Sequence, residues 1–224
     1  MRSKKTIAKI VRPKPVSEVV LERLRADIVN NQFALGEKIS EGQLSELYQV
    51  TKAPIRSAYI RLEAEGLIEI RAQSGTFVFK PTPQELQALS ELRTALELEA
   101  ISLAMQRSLR TLQRSVGKIY DEMVDCARRG AIDEYQKLDT RLHLLFVESA
   151  GSPFLAETFV SKVNSRFAAL RTRFSQQPQH VEHSLNEHKG LRDAISANDV
   201  EAVRKLLRQH IGYSEVYYAG LMEE

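Results

Sequence analysis

The chain has 224 residues, of which 43% are hydrophobic, enough to fill a core in each of two domains and too many for a disordered protein. It contains no Trp, and its many Leu, Ala, Glu and Arg residues favour helices over a turn-rich β fold. The net charge of +3 is uneven: residues 1–80 carry +5 and residues 81–224 carry −2, which points to a polyanionic partner for the first third alone.

The N-terminal region and the single cysteine bear on the compartment. No run of about 18 uncharged apolar residues occurs, and the basic N-terminus lacks the apolar core of a secretory signal. Cys126 cannot form an internal disulfide, which fits a reducing environment. We therefore expect a cytoplasmic protein without membrane contact, in which residues 1–15 form a basic flexible tail.

Residues 16–80 contain three predicted helices followed by a hairpin. The first helix carries apolar residues at helical spacing, the second covers 41–48, and the third begins at Thr51, which is a good N-cap residue. Two β-branched runs, 67–70 and 76–79, flank a glycine-bearing turn. This order predicts an N-terminal winged helix-turn-helix DNA-binding domain.

In such a domain the start of the third helix enters the major groove, where Lys or Arg can donate to guanine. Its N-cap and first backbone amides suit a phosphate, and the hairpin turn reaches the neighbouring backbone or minor groove. The candidate DNA-contacting residues are Thr51, Lys52, Ala53, Arg56, Ser74 and Gly75.

The remainder of the chain has helical patterns only. Thr82 and Glu85 have the spacing of a capping box, with a proline at the first helical position. The predicted helices lie near 83–107, 110–129, 132–149, 153–175, 179–197 and 199–221. Residues 82–224 are therefore predicted to form a C-terminal all-α helical bundle, which makes the whole chain mainly α.

Four ionisable residues fall on apolar helix stripes, where an unpaired polar group is costly. Asp139 and His143 are four residues apart and share a helix face, and His188 and His210 lie on the stripes of two later helices. Each histidine alone is also compatible with a hydrogen-bonded core residue. Together they are a suitable ligand set for a divalent metal ion such as Zn²⁺, Ni²⁺ or Mn²⁺.

Two further features concern charged groups near this set. Arg93 lies on an apolar stripe, so its guanidinium is expected to point into the bundle and to need an anion. That anion is either the carboxylate of an acidic effector or an internal partner, Glu97 or Asp139. His180 and His183 lie close to a Pro-Gln turn and are expected to face solvent.

Two parts of the chain resemble a known family. The segments 35–41, 50–58 and 61–68 are similar to the winged helix of GntR-family transcription regulators. The segments 93–97, 139–143 and 187–188, together with 198–199 and the stretch leading to His210, resemble the FCD ligand-binding domain of the FadR-type branch. The resemblance implies metal binding by Asp139, His143, His188 and His210. It also implies effector binding, for which Arg93 and Arg141 are the candidates.

These patterns predict a metabolite-responsive transcription repressor rather than an enzyme. A homodimer would bind a pseudo-palindromic operator in double-stranded DNA, and a small organic acid bound beside the metal would change its operator affinity. One alternative is a metal-dependent enzyme, because Asp and His ligands can also activate a water molecule, although no separate general base is evident. Another is a purely dimerising DNA-binding protein without an effector.

Overall fold

The computed structural model of the protein describes residues 13–222, so most of the predicted basic tail lies outside the described residues. The first helices are α1 (Val16–Val29), α2 (Glu41–Tyr48) and α3 (Lys52–Ala64). A capping box starts α2: Ser40 Oγ accepts from the backbone N–H of Gln43, whose side chain accepts from the N–H of Ser40. Pro54 lies in the first turn of α3, where its missing N–H leaves no intrahelical bond unmade.

Three short antiparallel strands complete the N-terminal unit in the order β1-β3-β2. They are β1 (Lys38–Ile39), β2 (Ile68–Arg71) and β3 (Gly75–Val78). The predicted hairpin is present as β2 and β3, with Gln73 in its turn at a φ of 60°. Strand β1 was not predicted, because two residues are too few to show an alternating pattern.

The long helix α4 (Pro83–Arg129) begins in the capping box formed by Thr82 and Glu85 and ends at Gly130. The sequence predicted two helices here, at 83–107 and 110–129, and the structure contains one kinked helix instead. At the kink, Ser108 has φ −144° and ψ 30°, and its hydroxyl donates to the carbonyl of Ser149 on the next helix. No Gly or Pro near this position forces the helix to end, so it bends and continues.

The later elements are α5 (Ile132–Ser149), α6 (Pro153–Phe159), α7 (Ser165–Phe174), α8 (Pro178–Ser196) and α9 (Val200–Met222). Between α6 and α7 the chain forms a π-helical segment, Val160–Asn164. The predicted helix at 153–175 therefore exists as three consecutive helical pieces. Helices α5, α8 and α9 pack against α4 and surround the candidate site.

One apolar cluster continues from the N-terminal unit into the bundle. Leu24 and Leu62 of the winged helix belong to the same buried cluster as Leu86, Phe167 and Tyr218. A second cluster fills the space between α4, α5, α8 and α9. The predicted fold class is confirmed: the chain is mainly α, with an N-terminal winged helix-turn-helix and a C-terminal all-helical bundle. None of the helices within residues 13–222 has the length and apolar character needed to cross a bilayer.

Candidate functional site

Four buried side chains from three helices meet inside the bundle. Asp139 and His143 lie one turn apart on the inner face of α5, His188 projects from α8, and His210 from α9. One carboxylate oxygen and three ring nitrogens of these residues lie within 4.8 Å of one another. The structure thus brings together all four residues that the sequence singled out as metal ligands.

Two carboxylates determine the proton positions on two of the imidazoles. Glu97 Oε2 lies 2.5 Å from His143 Nδ1, and Glu187 Oε2 lies 2.7 Å from His210 Nδ1. An ionised carboxylate only accepts, so each Nδ1 carries a proton, and in a neutral ring the lone pair is then on Nε2. The two Nε2 atoms are 3.2 Å apart, and the Nη2 donor of Arg93 lies 2.9 Å from the Nε2 of His143.

The third imidazole has the same orientation. The Tyr135 hydroxyl donates to Ser184 Oγ at 3.1 Å, so it accepts from His188 Nδ1 at 3.2 Å. His188 Nε2 is buried and makes no hydrogen bond within the described part of the chain, whereas Asp139 Oδ1 is ion-paired with Arg171. A buried nitrogen without a partner is rare, and this one lies 3.8 Å from Asp139 Oδ2.

The pKa values match this arrangement. Burial lowers the pKa of His188 to about 3 and that of His143 well below its ordinary value. Burial alone would raise the pKa of Asp139, but facing positive groups, Arg171 foremost, lower it below its usual range. At neutral pH the site therefore presents two neutral imidazoles and an ionised carboxylate, the protonation states in which these groups bind a divalent cation. The residues present fit such an ion.

Arg93 lies beside the cluster with 1% of its surface exposed. Its Nε donates to Glu97 Oε1 at 2.7 Å, so the internal salt bridge considered from the sequence is present. Its Nη2 lies 2.9 Å from His143 Nε2, and its guanidinium carbon lies 4.4 Å from the centre of the Phe167 ring. Nη1 is buried and has no hydrogen-bond partner among residues 13–222. One donor of this guanidinium therefore remains available for an anion.

Two other arginines, Arg141 and Arg171, differ in their distance from the cluster. Arg141, predicted as an effector contact, is exposed on α5 and pairs with Glu148 at 2.6 Å, away from the cluster. Arg171 of α7, which the sequence reasoning missed, has its Nε 2.7 Å from Asp139 Oδ1 and donates from Nη1 to Thr140. Arg171 lies on an apolar stripe with helical spacing, the same signal that identified Arg93.

His180 does not face solvent as expected. It lies in the first turn of α8, is 6% exposed, and stacks on Tyr217 of α9 with ring centres 4.1 Å apart. The prediction was wrong because Pro178 starts a helix at the turn, which directs His180 towards α9. His183, with 44% of its side chain exposed, is largely open to solvent as expected.

The candidate DNA-contacting residues form an exposed surface at the start of α3 and in the hairpin turn. Thr51 is the N-cap of α3, and its side chain makes no capping hydrogen bond. Lys52 and Ala53 are exposed in the first turn, and Arg56 pairs with Glu41 at 2.8 Å with most of its side chain in solvent.

The other two candidates, Ser74 and Gly75, lie at the hairpin turn between β2 and β3. Ser74 is exposed, and Gly75 has a φ of 122°, which favours glycine. A Cβ at Gly75 would come within 2.7 Å of the Lys38 side chain.

Comparisons with known proteins cover both halves of the chain. Residues 16–78 match the family model described as bacterial regulatory proteins, gntR family, and residues 88–213 match the model of the FCD domain. The HTH-type transcriptional repressor RspR of Escherichia coli (strain K12) is 26% identical over 201 residues, covering 88% of this chain and 86% of that protein. The Nta operon transcriptional regulator of Aminobacter aminovorans is 30% identical over 158 residues, covering 69% and 74%.

Solved structures show a similar fold. E. coli McbR/YncC superposes with a TM-score of 0.80 at 16% identity, over 93% of this chain and 99% of that chain. A putative GntR transcriptional regulator from Rhodococcus sp. RHA1 has a TM-score of 0.79 at 20% identity, over 92% and 98%. At these identities the likeness concerns the fold alone.

Proposed function

Because the chain belongs to the GntR family of bacterial transcription regulators and carries an FCD domain, we propose that it is a metabolite-responsive repressor. Its relatives RspR and GlaR of E. coli are named transcriptional repressors, which favours repression over activation. The observation that carries the sensing half of the proposal is the buried cluster, in which one ligand atom from each of four residues lies within 4.8 Å of the others.

The proposed metal ligands are Asp139, His143, His188 and His210. Three imidazole nitrogens and one carboxylate oxygen suit Zn²⁺, Ni²⁺ or Mn²⁺ and leave further coordination positions open. When bound, the ion would act as a Lewis acid towards a carboxylate oxygen of the effector. Glu97 and Glu187 would hold two of the imidazoles in the required tautomer and orientation.

The proposed effector is a small organic acid held by Arg93. Arg93 Nη1 is a buried donor without a hydrogen-bond partner in the described chain, and a carboxylate is the anion that a guanidinium binds best. Arg171 would hold Asp139 in place through its contacts with Asp139 and Thr140. Arg141 is left out of the effector site because its side chain is exposed and paired with Glu148.

The proposed output is operator binding by a homodimer. A winged helix presents few base contacts, so two copies on a pseudo-palindromic site would double the interface. Lys52 and Arg56 would contact bases, Thr51 and the amides around Ala53 would contact phosphate, and the turn with Ser74 and Gly75 would reach the adjacent backbone. An effector changes operator affinity to the extent that it binds one arrangement of the two domains better than the other.

The test combines metal analysis with DNA binding. Protein purified without chelator is expected to contain about one equivalent of a divalent metal per chain, which His188→Ala should lose while its circular dichroism spectrum stays helical. DNA fragments from around its own gene are expected to be retarded in a gel, and one of a panel of small carboxylic acids should change the retardation. Retardation without any metal or carboxylate effect would favour the purely dimerising alternative, and no retardation at low salt would refute the regulator itself.

A further inference from the structure

The π-helical segment and α7 form one continuous stretch, Val160–Phe174, here named the coupling segment. It lies against the ends of two helices of the winged helix, α1 and α3, and against the candidate metal centre. Lys162, Arg166 and Arg173 are separated by four and seven residues, a spacing that puts them close to one helical face. Each of the three donates to backbone carbonyls of the winged helix.

The first two cations reach the C-terminal end of α3, the helix proposed to enter the major groove. Lys162 Nζ donates to the carbonyl of Ala64 at 2.8 Å, and Arg166 Nε donates to the carbonyl of Glu65 at 3.1 Å. The last carbonyls of a helix have no partner within it and attract cations. The Arg166 guanidinium also lies against Gly66, where a Cβ would come within 1.6 Å of its Nη2. The glycine therefore makes room for the guanidinium.

The third cation reaches the end of α1. Arg173 Nη2 donates to the carbonyl of Ile28, in the last turn of α1, at 3.0 Å and also to that of Phe33 in the following loop. Its Nη1 donates to the carbonyl of Ala169 in its own helix, which holds the guanidinium in place. The coupling segment thus binds the C-terminal ends of both α1 and α3.

The same segment contacts the candidate metal centre. Arg171 is 4% exposed, and its Nε lies 2.7 Å from Asp139 Oδ1. Phe167 packs against the guanidinium of Arg93, 4.4 Å from ring centre to guanidinium carbon. Only one residue separates the arginine that touches Asp139 from the arginine that binds the end of α1. A shift of Asp139 or Arg93 would therefore be passed directly to α7.

We propose that the coupling segment sets the orientation of α1 and α3 relative to the metal centre, with Lys162, Arg166 and Arg173 as positioning residues for operator binding. The inference rests on the proposed function, because it concerns how a change at the sensing site would reach the DNA-binding helices. It adds a specific route: Asp139 to Arg171, along α7, and through Arg173 and Arg166 to the ends of α1 and α3.

The first test is hydrogen exchange of the full-length chain in EDTA, read by mass spectrometry. The variant Arg166→Met with Arg173→Met is compared with Arg110→Met with Arg141→Met, which removes the same charge from exposed positions of α4 and α5. Loss of the interdomain donors should speed exchange about tenfold at the ends of α1 and α3, residues 26–33 and 61–67, and leave the control unchanged. Equal exchange in the two variants at these peptides would overturn the proposal.

Should the first variant fail to fold, Arg173→Lys provides a milder change. It keeps the positive charge and loses the planar guanidinium, so faster exchange is expected at the end of α1 alone. Wild-type exchange at that end would count against the role of Arg173.

The second test adds Zn²⁺, with binding measured by calorimetry. In the wild-type chain Zn²⁺ should slow exchange in residues 165–174 and also at the ends of α1 and α3. In the Arg166→Met, Arg173→Met variant only residues 165–174 should respond. Zinc binding without any response in the wild-type winged helix would overturn the coupling while leaving the proposed metal site intact. Absence of zinc binding would instead refute the sensing function, and the exchange rates in EDTA would then decide the positioning role.

Discussion

Glu97 is the residue on which two neighbours at the candidate metal centre depend. One of its oxygens accepts from Arg93 at 2.7 Å, and the other contacts His143 Nδ1 at 2.5 Å, all with almost no exposure to solvent. A carboxylate in this position orients a metal-binding imidazole and keeps the imidazole proton on Nδ1, the nitrogen that faces the carboxylate. The helical pattern of α4 predicted the buried Arg93 and offered Glu97 as a possible partner, but the contact of Glu97 with His143 became visible only in three dimensions.

We expect Glu97→Gln to lower Zn²⁺ affinity about 10–100-fold. The Gln amide can donate to His143 Nδ1 as well as accept from it, so it no longer keeps the imidazole in the tautomer that leaves Nε2 free for the ion. Competition with a chromophoric chelator measures the affinity. Glu99→Gln, an exposed neighbour on the same helix, is the matched control and should bind Zn²⁺ like the wild-type chain. Equal affinity in the two variants would show that Glu97 does not orient His143.

His180 makes acid sensitivity testable away from the proposed ligands. Burial lowers its pKa from 6.5 to about 4, so between these values the unfolded chain binds a proton that the folded chain does not. The free energy of unfolding therefore falls as the pH drops through this window. After allowance for solvent screening, the contribution is at most about 1 kcal/mol per pH unit.

We expect His180→Phe to keep the stacking on Tyr217 and to lose less stability than the wild-type chain between pH 7 and pH 5. Urea unfolding in EDTA at both pH values provides the measurement, and His183→Phe, at a largely exposed position, serves as the control. An unchanged pH dependence in the His180 variant would mean that this imidazole titrates normally in the folded protein.

The two arginine assignments show what a single helix pattern can and cannot specify. Arg141 is two residues from Asp139, which on an α-helix corresponds to a rotation of roughly 200° and places it on the opposite face. The family resemblance of the segment 139–143 hid this difference. Arg171 was detectable from its apolar stripe, but its proximity to Asp139 depends on how α7 packs on α5, which periodicity does not encode.

Among the secondary-structure elements, the helix starts were the most predictable and the interruptions the least. Capping residues such as Thr82 and prolines in first turns mark where α3, α4 and α8 begin. The π-helical segment within 153–175 has no such marker, since its residues keep an ordinary helical pattern. Helix boundaries follow from local hydrogen bonding, whereas kinks and π-helical turns depend on the neighbouring elements.

The contribution of the α4 capping box to stability can be measured by comparing two threonine N-caps. Thr82 accepts from the backbone N–H of Glu85, whereas Thr51 makes no capping hydrogen bond. We expect Thr82→Ala to reduce the free energy of unfolding by about 1 kcal/mol and Thr51→Ala to reduce it less. Urea denaturation followed by circular dichroism distinguishes them, and equal losses would contradict the role of the capping box. Thr51→Ala should instead weaken DNA binding if its hydroxyl contacts a phosphate.

At the scale of the whole molecule, the proposed dimer would make each base contact twice, once in each half-site, so one substitution would reduce operator affinity twice over. We expect Lys52→Met to weaken binding to the specific operator by roughly 1–3 kcal/mol per half-site and to weaken binding to unrelated DNA much less. Fluorescence anisotropy at fixed salt measures both affinities. Lys118→Met, at a position 79% exposed on α4, is the control for loss of charge. A uniform loss across all sequences would assign Lys52 to the phosphate backbone.

Burial of the four-residue cluster has a kinetic consequence for the whole protein. Its members are 1–3% exposed, so an ion can enter or leave only when α5, α8 or α9 opens locally. Exchange with the surrounding solution is then limited by the rate of that opening rather than by diffusion. Arg93 is as deeply buried, with 1% of its surface exposed, so an organic acid would reach its guanidinium only through the same local opening. The ion and the acid would then share one rate-limiting step.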